Sequence, residues 1–293
     1  MLGREAALEA ECFKAFSPAI TISRPKFWSG GVIFASPHSG DIYPKALLNR
    51  TPHNLQTLRR NEDAFIAELF KAAPALGAPL IEAHFPRVLV DVNRAPDELP
   101  KEWLEPGHTS SQRAEAGIGV VPTMLSEHTP IYKKPLSQRA AIARLTMLYH
   151  PYHNALQDLI TEAGLNFGEV LLIDCHSMPG FAPMGSRRPD IILGDKFGVS
   201  CNPETIARAE LAFRKQGYSV TRNYPYAGGY VTQHYGKPHA GIQALQIEIN
   251  RDLYLNPVTI KKKRSYDELA ENLKAVIADL IDGHSEAVLQ AAE

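Results

Sequence analysis

Short unbroken apolar runs alternate along this chain with longer stretches in which apolar residues recur every three or four positions, and that alternation predicts an α/β fold. Residues 32–35, 79–83 and 170–173 are short enough to be buried strands. Residues 87–92 predict another, with Val88, Val90 and Val92 alternating against Leu89 and Asp91. Residues 191–193, 218–222 and 244–249 complete the set. Helical spacing places Phe65, Ile66, Leu69 and Phe70 on one face of a helix over 64–73, with cap candidates at 61–63. A longer helical stretch, from about 133 to 163, is expected in two pieces because Pro151 breaks or kinks it after His150. Residues 203–215, with proline in the first turn, and 267–282 predict two amphipathic helices. Periodicity lapses over 93–130, where Pro96, Pro100, Pro106, Pro122 and Pro130 accompany Gly117-Ile118-Gly119. Such an ordered excursion suits an active-site insertion in a single 1–293 domain better than a linker.

The 293 residues, 44% of them hydrophobic, suffice for a sizeable core. Lysine and arginine number 31 against 32 acids, and the only basic block is 261–264, so no nucleic-acid partner is expected. Cys12, Cys175 and Cys201 are odd in number and lack metal-ligand spacing, which argues against a disulfide framework and for a reducing compartment. The acids Glu5, Glu9 and Glu11 near the amino terminus do not suit a signal peptide, and no run reaches membrane-span length; a cytoplasmic protein is expected.

Two histidines carry most of the chemistry. His38 in Ser36-Pro37-His38-Ser39-Gly40 and His176 in Asp174-Cys175-His176-Ser177 each follow a predicted buried strand. Strand ends of this kind are where open α/β sheets assemble their crevices. With one carboxylate, two histidines make the three protein ligands of a catalytic zinc and leave a place for water. Asp41, at His-x-x-Asp spacing, and Asp63, otherwise a helix cap, both qualify as the third ligand. Asp174, two residues before His176, is expected to point away from it if the strand persists, as a structural acid or an orienting partner. Asn93 and Arg94 offer an amide and a planar guanidinium for an anionic substrate. Arg87 is a second anion clamp or a surface ion-pair partner. Gln246, Glu248 and Asn250 share one face of a strand, so Glu248 is either solvated or a general base aimed into a dry site. His153 and His234 are candidates for substrate contact, with packing and plain surface exposure as their alternatives. Cys175 and Cys201 read as buried thiols rather than nucleophiles.

These motifs together resemble the N-formylglutamate amidohydrolase family. The match runs from Ser36 to about Tyr254 through Ser-Pro-His-Ser-Gly, the acid at Asp63, Arg87 with Asp91-x-Asn93-Arg94, Pro151-Tyr152-His153, Asp174-x-His176-Ser177, Gly228-Gly229, Tyr235-Gly236 and Gln246-x-Glu248. The resemblance implies kinship with zinc carboxypeptidases and aspartoacylases. It implies a single three-layer domain with a central mixed, mostly parallel sheet, and Zn2+ or another divalent metal on His38, Asp63 and His176, with Asp41 as the alternative. Asn93 and Arg94 are then implied on the substrate, Glu248 as general base and Arg87 beside the oxyanion. The implied reaction is hydrolysis of a small anionic N-acyl amino acid, N-formyl-L-glutamate above all.

Overall fold

Seven strands pair into one sheet: β1 (Ile20–Ser23), β2 (Val32–Ser36), β3 (Leu80–Ala83), β4 (Val170–Met178), β5 (Ile191–Gly194), β6 (Val220–Arg222) and β7 (Ile242–Asn250). Their order is β1-β3-β2-β4-β7-β5-β6. Pairs β2/β3, β2/β4, β4/β7 and β5/β6 are parallel, whereas β5 runs antiparallel to β7. The α/β class predicted from the sequence pattern and the mixed, mostly parallel sheet that the resemblance implies are therefore both present. The computed structural model describes residues 2–105, 107–126 and 128–291; Pro106 of the proline-rich excursion lies outside them.

The chain forms two compact units, one from 1–21, 37–62 and 83–155, the other from 22–36, 63–82 and 156–293. In the second, a core gathers Phe34, Leu171, Ile173, Cys175, Leu245 and Ile247 with Ile206, Phe213, Leu273 and Ile277. The last four belong to two helices, Pro203–Lys215 and Tyr266–Ala291. Side chains alternate along a strand, so residues 174, 176, 246 and 248 belong to the sheet face opposite this core. In the first unit, the N-terminal helix Leu2–Lys14 is tied down by charge. Fully buried Arg144 donates through Nε and Nη2 to the Glu9 carboxylate at 2.9 and 2.8 Å, and through Nη1 to Tyr132 Oη at 2.6 Å. No helix among the described residues is long and apolar enough to cross a membrane.

Three expectations change. Residues 87–92 bury Val88, Leu89, Val90 and Val92 yet form turns rather than a strand, closed by Leu89 N donating to Pro86 O at 2.9 Å. The helix expected over 64–73 shrinks to Ile66–Leu69, because Phe65 before it takes the left-handed conformation at φ 66°. The long helix does not break at Pro151. Gln138–Arg144 passes through a π-turn, Leu145–Tyr149, into His150–Phe167, and the wider turn absorbs the bond a proline cannot donate.

Candidate active site

In the second unit, β4 extends past the apolar run through Met178, and all nine of its residues are buried. His176 thus stands inside the strand, not beyond its end. With a period of two, Asp174 shares its face, contrary to the expectation that it points away, and its Oδ2 meets His176 Nε2 at 2.9 Å. The other ring nitrogen, Nδ1, meets Asp63 Oδ2 at 2.9 Å. Burial works against a charged imidazole, but Asp174 and Asp63 outweigh it and hold His176 well above its ordinary range. Cys175 faces the apolar core, where burial and the neighbouring Asp174 charge raise its thiol well above the ordinary range.

Asp63 is not a helix cap. Its Oδ1 accepts from Ser177 Oγ at 3.2 Å and Arg251 Nη2 at 2.9 Å, while Arg251 Nε donates to Ser177 Oγ at 3.0 Å. Two donors on one oxygen fix the carboxylate so that Oδ2 alone faces His176. Arg251 belongs to no motif in the sequence; its only signal is its place directly after the Gln246-x-Glu248-x-Asn250 strand.

The parallel register of β4 and β7 sets Asp174 beside Gln246 and His176 beside Glu248. Glu248 is buried and accepts from Gln246 Nε2 at 3.0 Å. Burial pushes its carboxyl up to about 7, against the pull of charged His176 and with the help of Asp63. A carboxylate of that basicity can exchange a proton at neutral pH.

In the first unit, Asp91 plays the organising part that Asp174 plays in the second. His38 Nε2 lies 2.7 Å from Asp91 Oδ1, Arg87 Nη2 donates to Oδ2 at 2.7 Å, and the Asn93 amide donates to Oδ1 at 2.9 Å. Burial opposes ionisation of Asp91, yet the Arg87, His38 and Arg94 charges hold it well below the usual carboxylate range. Gly40 of the histidine loop is required by space, since a Cβ there would lie 2.1 Å from Phe85 O. Asn93 is buried, and Arg94 donates through Nη1 to Asn93 O at 2.9 Å. His153 Nε2 lies 2.9 Å from Val92 O, and Tyr149 Oη donates to Arg94 O at 2.8 Å, so both rings pin the backbone that presents Asn93 and Arg94.

His234 lies on the helix Tyr230–Tyr235, stacked on Tyr230 at 4.8 Å between ring centres. Burial and Lys237 lower its pKa. Asp41 is exposed. His38, Asp63 and His176 are buried and form a group that could bind a metal ion.

A model of the N-formylglutamate amidohydrolase family matches residues 30–255. The N-formylglutamate deformylase of Pseudomonas aeruginosa is 29% identical over 256 residues, 86% of this chain and 91% of that protein. That of Pseudomonas putida is 28% identical over 258 residues, 85% of this chain and 90% of its own. The crystal structure of N-formylglutamate amidohydrolase from Ralstonia eutropha JMP134 superposes with a TM-score of 0.85 at 30% identity, covering 92% of this chain and 99% of that one. The paired histidines, the Asp91-x-Asn93-Arg94 turn and the buried Glu248 all fall inside the matched segment, and the chain belongs to the N-formylglutamate amidohydrolase family.

Proposed function

We propose that this protein hydrolyses N-formyl-L-glutamate to formate and L-glutamate with the help of one divalent metal ion, zinc first. The observation that carries this reading is the pattern around the two histidines. Each has Nε2 held by a buried carboxylate, Asp91 on His38 and Asp174 on His176. Such outer carboxylates set the tautomer and ring orientation of metal-binding histidines. Nδ1 of each ring is then the ligand nitrogen, and Asp63 Oδ2, already 2.9 Å from His176 Nδ1, supplies the oxygen. Two imidazoles and one carboxylate are a donor set that zinc accepts, with a position left for water. Exposed Asp41 is the poorer third ligand.

When bound, the ion supplies Lewis acidity and lowers the pKa of a coordinated water from 15.7 towards roughly 7. Glu248 accepts the proton of the attacking water and returns it to the amide nitrogen as the C–N bond breaks, so no net proton is gained or lost by the protein. Asn93 and Arg94 receive the α-carboxylate. Arg87 holds Asp91, and through it the His38 ring, at 2.7 Å on either side. His153 acts by shaping the backbone at Val92 rather than as an acid or base. His234, exposed on its helix, borders the substrate.

The test is metal content by elemental analysis of the purified chain, with formate release from N-formyl-L-glutamate measured before and after chelation. About one ion per chain with chelator-sensitive release is expected. Full activity in thoroughly metal-stripped protein would overturn the metal reading, and metal without formate release would overturn the substrate.

A further inference from the structure

Glutamate carries two carboxylates, and the reading above gives a cation to one of them. Arg87 is engaged by Asp91. A second cation stands on the loop that leaves β4 past His176. Residues 179–188 fold back as a tight hairpin, with a bridge between Phe181 and Arg187 and the Ala182 amide donating to Ser186 O at 2.9 Å. Arg188 closes it from within. Its Nη1 donates to Pro179 O and Phe181 O, both at 2.8 Å, which spends one arm of the guanidinium and fixes the plane of the rest.

The other side of that plane rests on an aromatic ring, with Arg188 Cζ 5.4 Å from the centre of Tyr226. Asn250 anchors the backbone here, its Nδ2 donating to Arg188 O and Pro189 O at 3.3 and 3.1 Å. Asn250 shares a strand face with Glu248, two residues away. The Tyr226 phenol is in turn raised by burial and feels the charges of Arg188, Glu248, Arg251 and Asp63, so the seat of the guanidinium lies within electrostatic reach of the reacting groups. Nε of Arg188 is buried without a hydrogen-bond partner among the described residues. The adjacent Arg187 differs: it is exposed and paired with Asp190 at 3.1 Å.

We propose that Arg188, seated on Tyr226, receives the side-chain carboxylate of the substrate and sets the preference for an acidic over an amide or apolar side chain. An arginine fork with donors left over suits a carboxylate, and fixing it on its own loop lowers the cost of ordering it on binding. This inference rests on the deformylase reading of the site.

The test compares N-formyl-L-glutamate with N-formyl-L-glutamine in the full chain and in Arg188→Gln, Arg188→Lys and Tyr226→Leu. For Arg188→Gln, kcat/KM on the glutamate substrate should fall roughly 30-fold or more, mainly through KM. On the glutamine substrate it should change less than about 3-fold, since the lost group faces no charge there. Arg188→Lys and Tyr226→Leu should give intermediate losses in the same ratio. Equal losses on both substrates would make Arg188 a loop anchor only and overturn the proposal. Calorimetric binding of L-glutamate against L-glutamine separates the two readings. Preference for glutamate that vanishes in Arg188→Gln, in a chain that releases no formate, keeps this proposal and removes the deformylase reading. Formate release with equal binding of the two amino acids does the reverse.

Discussion

Glu248→Gln separates the chemistry of the site from its packing. The amide is close in shape to the carboxyl and can still accept the 3.0 Å bond from Gln246 Nε2, so the strand face should survive. What disappears is a base whose pKa stands at about 7 against an ordinary 4.5. Loss of a positioned general base costs about 10²- to 10⁴-fold in kcat. The raised pKa also predicts a gain in stability. A folded-state pKa above the unfolded one adds stability that is complete below about 4.5 and is lost as pH rises through about 7. At pH 8 the ionised carboxylate therefore costs the metal-free fold up to about 3 kcal/mol, at about 1.36 kcal/mol for each tenfold change in proton affinity. Charged His176 beside it makes that an upper bound. Formate release and urea unfolding of wild type and variant, the latter on metal-free protein at pH 4.5 and pH 8, check both halves. The expected outcome is a variant of at most about one-hundredth the activity that is more stable than wild type at pH 8 and not at pH 4.5. A variant keeping more than about a tenth of wild-type kcat would refute the assignment of Glu248 as base. Equal stability at pH 8 would refute the burial argument.

Other outcomes follow from neighbouring contacts. Asp174→Asn removes the charge on His176 Nε2 and should weaken metal binding about 10- to 100-fold, read by competition with a chromogenic chelator. Asp63→Asn should lower metal occupancy far more than Asp41→Asn, which alters an exposed side chain; equal effects by elemental analysis would restore Asp41 as ligand. Cys175→Ser should keep kcat within about twofold, because the thiol faces the apolar core and burial keeps it protonated; complete loss in a folded variant would reinstate a cysteine nucleophile. Glu9, held below its ordinary value by Arg144 and Arg50 against burial, contributes stability that is present above about 4.5 and lost as pH falls through its folded pKa. Arg144→Met should cost about 3–5 kcal/mol at pH 7 by leaving Glu9 without its fully buried partner, and less at pH 3, as followed by urea unfolding.

What the sequence could reveal depended on how local each cause was. The runs at 32–35 and 170–173 are strands because buried parallel strands need little more than continuous apolar residues, and these show in a short window. The polar string Asp174 to Ser177 looked like a loop because its strand geometry comes from pairing with residues 246–249, some seventy positions later. Residues 87–92 erred in the opposite direction. Their alternation is real and their side chains are buried, but the Asp91 amide donates to Val120 O, and the Asp91 carboxylate gathers His38, Arg87 and Asn93, so the backbone turns instead of extending. Asp63 stands in the sequence as a ligand candidate with a cap as its alternative and Arg251 belongs to no motif, because what holds Asp63 in place is Ser177 and Arg251, 114 and 188 residues away. The histidines could be found by their motifs. Asp174 is legible as an orienting partner from its place in the same motif, but the pairing of Asp91 with His38 and of Arg251 with Asp63 is not, since an outer partner needs only a charge at the right distance, and any segment the fold brings near can supply it.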